Sequence, residues 1–278
     1  MNFLVRGDTH GVFNWMKNGC LDKYNPKDTA IIILGDAGFN FWLDKRDARL
    51  KKEVNERGFR FYCLHGNHEA RPQDVPGMQY IYDEDIKGWI YIEPIYPNIR
   101  YLKDYGDYCF GDYHVAVIGG AYSVDKWYRL ARAGVRDKLD PKYLIPKATG
   151  WFPNEQLNEA EMKDAEDVLE GIEYDFIMTH TCPISWQPTD LFLSQVDQSE
   201  VDSSMELWLD EIRKKLKWNI WLFGHYHADR IERPHVEMYY TDIESLDTIN
   251  ERWAKYDYGE GLDWWLKKGP NYFKVNLH

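Results

Sequence analysis

Apolar runs of strand length recur six times along the chain, at residues 3–5, 30–34, 59–64, 115–118, 176–178 and 220–223. None alternates cleanly with a period of two, which predicts strands covered on both faces. Stretches with helical spacing lie between them. Residues 44–57 (DKRDARLKKEVNER) run to Gly58, a good C-cap. Residues 154–170 open at Asn154, a good N-cap, and put Leu157, Ala165, Val168 and Leu169 on one stripe. Residues 203–217 carry capping serines with Leu207, Ile212 and Leu216. Strand–helix alternation predicts an α/β layered fold. Residues 89–113 break that alternation with β-rich, hairpin-like pieces, which favours a sandwich of two sheets flanked by helices.

No repeat, low-complexity segment or linker divides the 278 residues, so one domain over 1–278 is expected. Within it, residues 236–278 read as an aromatic-rich C-terminal extension, with Trp253, Trp264 and Trp265, packed on the edge of the body.

Composition narrows the class. At 44% hydrophobic residues the chain supports a sizeable core. No apolar run approaches the roughly 20 residues that cross a bilayer. The opening MNFLVRGD holds a strand-length apolar patch with an acid close behind it, unlike a secretory signal. Cys20, Cys63, Cys109 and Cys182 are far apart and form no CxxC pair. A soluble, unprocessed, cytoplasmic protein is the expectation. The net charge of −12 opposes non-specific binding to nucleic acid. It leaves a phosphate substrate open, because bound divalent cations reverse a local field.

The polar residues give the chemistry. The first apolar run ends in RGDTHG (Asp8, His10), the second in GDAG (Asp36) and the third in HGNHE (Asn67, His68). The fifth ends in THTCP (His180) and the sixth in GHYH (His225, His227). Ligands of open α/β sheets gather beyond the carboxyl ends of strands, so these side chains are expected to converge. Asp8 and His10, like His225 and His227, are two apart, which in extended backbone sends both side chains to one side. A lone Asp after a strand is usually a turn former, and a lone HxH is often a solvated loop. Five such sites in order are not explained that way. The donors are nitrogen and oxygen without thiolate, a set suited to Mn, Fe, Zn or Ni rather than calcium or a structural zinc. His65 fits a supporting role, and His114 and His235 fit ordinary surface positions.

The order GDxH, GD, GNHE, THxxP, GHxH, running from Gly7 to His227, resembles the calcineurin-like metallophosphoesterase superfamily, whose fold is a two-sheet β-sandwich flanked by helices. GGAYSVDK (119–126) and the WFPNEQ beyond it look like its bacterial and phage-type members. The resemblance implies two divalent transition-metal ions, manganese favoured. Asp8, His10 and His227 would hold one, Asn67, His180 and His225 the other, and Asp36 would bridge them. His68, not a ligand, would face the substrate. The implied reaction is hydrolysis of a phosphate mono- or diester, such as a nucleotide, by in-line attack of a metal-bridging hydroxide.

Two departures stand out. Many relatives have a second Asp three positions after the bridging one, where it orients the catalytic His; here Phe39 stands there, followed by Asn40. The arginines of the Ser/Thr protein phosphatases are also missing, with His65 at one of the places. Arg71, Lys126, Arg129 and Arg132 are candidate substitutes for binding the phosphate. A Ser/Thr-type protein phosphatase and a non-catalytic scaffold of the same fold, binding a protein partner, stand as alternative readings.

Overall fold

The computed structural model describes residues 1–135 and 149–257. Two mixed sheets face each other. The first has seven strands: β1 (Asn2–Arg6), β2 (Thr29–Ile33), β3 (Arg60–Cys63), β4 (Gln79–Asp83), β5 (Gly88–Ile92), β6 (Ile99–Leu102) and β13 (Ile243–Ser245), in the order β13-β1-β2-β3-β6-β5-β4. The second has six: β7 (Tyr105–Phe110), β8 (Tyr113–Ile118), β9 (Glu173–Thr179), β10 (Lys217–Phe223), β11 (Arg230–Arg233) and β12 (Val236–Met238), in the order β11-β12-β10-β9-β8-β7. The centres, β1-β2-β3-β6 and β8-β9-β10-β12, are parallel. All six apolar runs of the sequence are strands at these centres.

Alternate residues of one strand enter different cores, which explains the missing period of two. In β2, Ala30 and Ile32 face the space between the sheets together with Val117, Met178 and Leu222. Ile31 and Ile33 face outward with Phe61, Phe39 and Val54 of α1 (Lys45–Asn55). On the far side, Ile177 and Trp221 pack under α3 (Glu159–Leu169) and α4 (Ser204–Lys215). Both faces of both sheets are therefore apolar. Five α-helices occur among the described residues, with α2 (Lys126–Arg132) and α5 (Leu246–Asp257) completing the set.

Several local readings need correction. α1 spans Lys45–Asn55 with Asp44 as its N-cap, but α3 starts at a capping box on Asn158, not at Asn154. Asn158 is followed three residues later by Glu161, the reciprocal pair that closes the box. Asn154 Nδ2 instead donates to Asp74 Oδ2 at 2.8 Å, a residue 80 positions earlier. The buried stripe of α3 is Met162, Ala165 and Leu169, and Val168 points out at 40% exposure. In α4, Leu207 is exposed while Met205, Leu209 and Ile212 are buried.

The segment after 236 is more than an extension packed on an edge. β12 lies inside the second sheet, between β10 and β11, and β13 forms the edge of the first sheet beside β1. Trp253 of α5 is fully buried in the core between the sheets. Trp264 and Trp265 lie outside the described residues. Glu237 of β12 is a buried carboxylate that accepts from Arg252 and Trp253 Nε1, each at 2.7 Å, and from Tyr239 Oη at 2.8 Å. Arg252→Ala leaves that charge without its cation, so urea unfolding should show a loss of roughly 3–5 kcal/mol. An unchanged midpoint would mean that the pair does not hold α5.

Candidate metal centre

The turns after β1, β2, β3, β9 and β10 meet at one point. His227 Nε2 is 3.3 Å from Asp8 Oδ2 and 2.8 Å from His10 Nε2. Asp36 Oδ2 lies 3.9 Å from His10 Nδ1 and 3.6 Å from His180 Nε2. Asn67 Oδ1 lies 2.9 Å from His180 Nε2 and 3.1 Å from His225 Nδ1. Asp8–His10–His227, His10–Asp36–His68 and Asp8–Asp36–His180 each form a group that could hold an ion. Thus all seven candidate ligands and His68 are brought together.

The convergence does not come from extended backbone. His10, Asp36, His225 and His227 have φ of 45°, 50°, 69° and 53°, four of the seven described non-glycine residues in the left-handed region. Such backbone is strained for a residue with a Cβ and persists where surrounding contacts over-determine it. Gly35, at φ 97°, lets the turn after β2 pass under His180, because a Cβ there would meet its Nδ1 at 2.0 Å.

Supporting bonds fix which atom each side chain presents. His180 Nδ1 donates to the Leu34 carbonyl at 2.7 Å, turning Nε2 inward. Asn67 Nδ2 donates to Ser123 Oγ at 2.8 Å, which donates to Glu155 at 2.6 Å, so Asn67 Oδ1 faces the histidines. Asp8 Oδ1 accepts from His225 N at 3.0 Å, which leaves buried Oδ2 facing His227 Nε2. Asp36 Oδ1 accepts from His68 N at 2.8 Å. Glu69 grips the Asp36 turn through the amides of Ala37 and Gly38 at 3.2 Å.

These assignments test whether the site suits a cation. His180 Nε2 and Asn67 Oδ1 sit 2.9 Å apart beside the Asp36 carboxylate. Oxygens crowded in this way need positive charge among them, which a proton on Nε2 supplies and which an ion would supply to the neutral ring. Two ligands each about 2.1 Å from an ion at right angles are about 3 Å apart, the spacing observed. The electrostatics agree. Burial would raise the Asp36 pKa, but His68, His180 and His10 hold it well below the usual carboxylate range. Burial opposes a charge on His180, yet Asp36 and Asp8 push its pKa up to about 9. His225 is pushed down to about 3 by burial and by His180. The buried Asp8 and Asp36 carboxylates favour positive charge in the pocket, and its nitrogen and oxygen donors fit a divalent metal.

His68 has an unexpected neighbour. Phe39 is fully buried, stacked on Phe13 at 4.9 Å between ring centroids, and does not serve it. Arg129 of α2 does: its Nη2 lies 2.9 Å from His68 Nδ1, while Nε donates to Asp125 at 2.6 Å and Nη1 donates to the Gly150 carbonyl. A guanidinium only donates, so Nδ1 accepts and the His68 proton sits on Nε2. Burial lowers the His68 pKa; Asp36 opposes this, and Arg129 reinforces it.

The other basic candidates fall elsewhere. Arg71 is a correction: it is 4% exposed, and its guanidinium is spent on Glu161, Asp104 and the carbonyls of Asn154 and Gln156. It ties α3 to the loop after β3 and has nothing left for a phosphate. Lys126 Nζ lies over the Trp151 ring at 4.4 Å, and Arg132 is on the exposed side of α2. His65 is buried beside Asp104, and His114 and His235 pair with Asp107 and Asp257.

Ser123, Glu155 and Asp125 also belong to the site, although their spacing alone does not mark them. Ser123 and Asp125 lie in the quoted GGAYSVDK and Glu155 in WFPNEQ, so the signal was present as a pattern without assigned roles.

No curated protein matches the chain. A solved structure, the sulfate thiohydrolase SoxB of Thermus thermophilus in complex with glycerol, is similar at 13% identity with a TM-score of 0.33. That match covers 84% of this chain and 43% of that one. Residues 1–229 match the calcineurin-like phosphoesterase family. With its two sheets, its flanking helices and its cation-seeking turns, the chain belongs to that family.

Proposed function

We propose that the protein is a hydrolase of phosphate mono- or diesters with a dinuclear divalent-metal centre. Asp8, His10 and His227 would hold one ion, Asn67, His180 and His225 the other, and Asp36 would serve both. The observation that carries this reading is the convergence of donors: Asn67 Oδ1, His180 Nε2 and Asp36 Oδ2 gather at one small volume whose nitrogen and oxygen atoms suit a divalent cation. The position of Asp36 Oδ2, between His10 and His180, favours a shared ligand over two separate sites. When bound, the ions supply Lewis-acid charge and a water acidified for attack.

The chain's own residues supply the rest. His68 presents Nε2–H to the phosphate and stabilises charge that builds on its oxygens. Arg129 fixes that tautomer and is itself held by Asp125. It takes the positioning part that a carboxylate plays in many relatives, with the difference that a cation, not an anion, backs the imidazole. Ser123 and Glu155 hold the Asn67 amide in the orientation that turns its oxygen to the site.

Purified protein is expected to carry close to two transition-metal ions per chain by plasma mass spectrometry. It is expected to hydrolyse a 4-nitrophenyl phosphate mono- or diester in Mn²⁺. Bound metal without turnover of either ester would favour the scaffold reading.

A further inference from the structure

Beside the candidate centre lies a cleft of ≈ 290 Å³ that the chemistry above leaves unused. One end is polar, with Asp36, Asn67, His68, His225 and His227. The other is apolar and is built mainly by the loop between β9 and α4, with Leu191, Phe192, Leu193, Val196 and Val201. Phe192 is parallel to the Tyr226 ring within 17°, at 6.5 Å between centroids. Leu193 stays 51% exposed and Val124, across the cleft, 40%. Apolar side chains held open next to a charged centre are costly in water and mark a binding surface.

Charge limits the occupant. Among the described residues no lysine or arginine lines the cleft, while Asp125 and Glu206 do. A second phosphate or a carboxylate would find no lysine or arginine to pair with there. Glu206 adds one specific demand. It is 3% exposed, its Oε1 accepts from Thr181 Oγ1 at 2.8 Å, and its buried Oε2 has no partner. Burial pushes its pKa up to about 7, and a donor that reaches Oε2 would hold the group as the carboxylate.

Resting on the phosphoesterase reading, we propose that this cleft holds the organic group esterified to the phosphate, and that the group is a flat, uncharged ring system offering an N–H to Glu206. Stacking on Phe192 and Tyr226 gives sequence-tolerant affinity for a ring, and the Glu206 oxygen selects rings that carry a donor. The phosphate then lies at the polar end, against His68.

The test separates this inference from the reading beneath it. Adenosine, which has a ring and no phosphate, is measured by calorimetry against the Mn²⁺-loaded protein, with ribose 5-phosphate and purine riboside as comparisons. Adenosine should bind, and purine riboside, which lacks the 6-amino donor, about tenfold more weakly. Phe192→Ala should weaken adenosine about tenfold and leave ribose 5-phosphate unchanged. Leu193→Asp, at a half-exposed position that folding tolerates, should weaken adenosine as well. In turnover, AMP should exceed ribose 5-phosphate in kcat/KM by a similar factor, since both lose the same kind of alkoxide. For a diesterase, thymidine 5′-(4-nitrophenyl phosphate) should exceed methyl 4-nitrophenyl phosphate likewise. Absence of adenosine binding, or equal response of adenosine and ribose 5-phosphate to both variants, would overturn the proposal. Adenosine binding without hydrolysis of any ester would keep the cleft's assignment and sink the hydrolase reading alone.

Discussion

Asp36→Asn is expected to abolish turnover, by roughly a thousandfold or more, and to strip metal from the protein. The substitution keeps the shape and removes the charge. Asp36 Oδ2 is buried and within 3.6–3.9 Å of His180 and His10, so its neutral amide would leave both proposed ions short of the same anion. Several kcal/mol of transition-state charge stabilisation depend on those ions, and each 1.36 kcal/mol is a factor of ten in rate. The His68 amide, which donates to Asp36 Oδ1, would keep its bond because the Asn oxygen still accepts, so folding should survive. Metal content and kcat are to be measured on the same preparation. A variant with two ions per chain and normal rates would remove Asp36 from between them.

The second large effect separates chemistry from metal binding. His68→Ala should cost roughly 10²–10⁴ in kcat, the usual contribution of a positioned proton donor, with metal content unchanged. His68 touches the centre through its backbone amide and aims its ring at the space above, edge-on to His10 at 5.2 Å. Arg129→Ala should lose less, and its loss should vanish in the His68→Ala background, because Arg129 reaches the proposed phosphate position only through that ring. Equal metal loss in the Asp36 and His68 variants would show that His68 is itself a ligand.

These two residues also illustrate what a linear reading can recover. The strands were legible because their apolar runs were long enough to need cover on both faces, and the candidate donors were legible because each followed such a run. Geometry inside the turns was not. Nothing in the letters of GHYH tells a left-handed histidine from an extended one, since the conformation is imposed by contacts with Asp8 and Tyr240. The Arg129–His68 contact joins residues 61 apart in sequence, a separation that no local pattern signals. The misplaced cap of α3 has a simpler cause: Asn154 and Asn158 are equally good caps, and only the Glu161 three residues after Asn158 closes the box. Arg71 misled because a basic residue after HGNHE resembles a phosphate clamp until Glu161 and Asp104 claim it.

The strands contributed by residues 230–245 carry one more consequence. The family match stops at residue 229, and the chain after it supplies the outer border of both sheets. It also presses on the first donor turn: the Tyr239 carbonyl lies where a Cβ on Gly7, next to Asp8, would be 2.0 Å away. A protein trimmed to its recognisable portion would therefore lose the wall behind Asp8 and bare the hydrogen-bonding flank of β1, which invites strands from other molecules. The stretch beyond the family match thus backs the first donor turn of the matched portion.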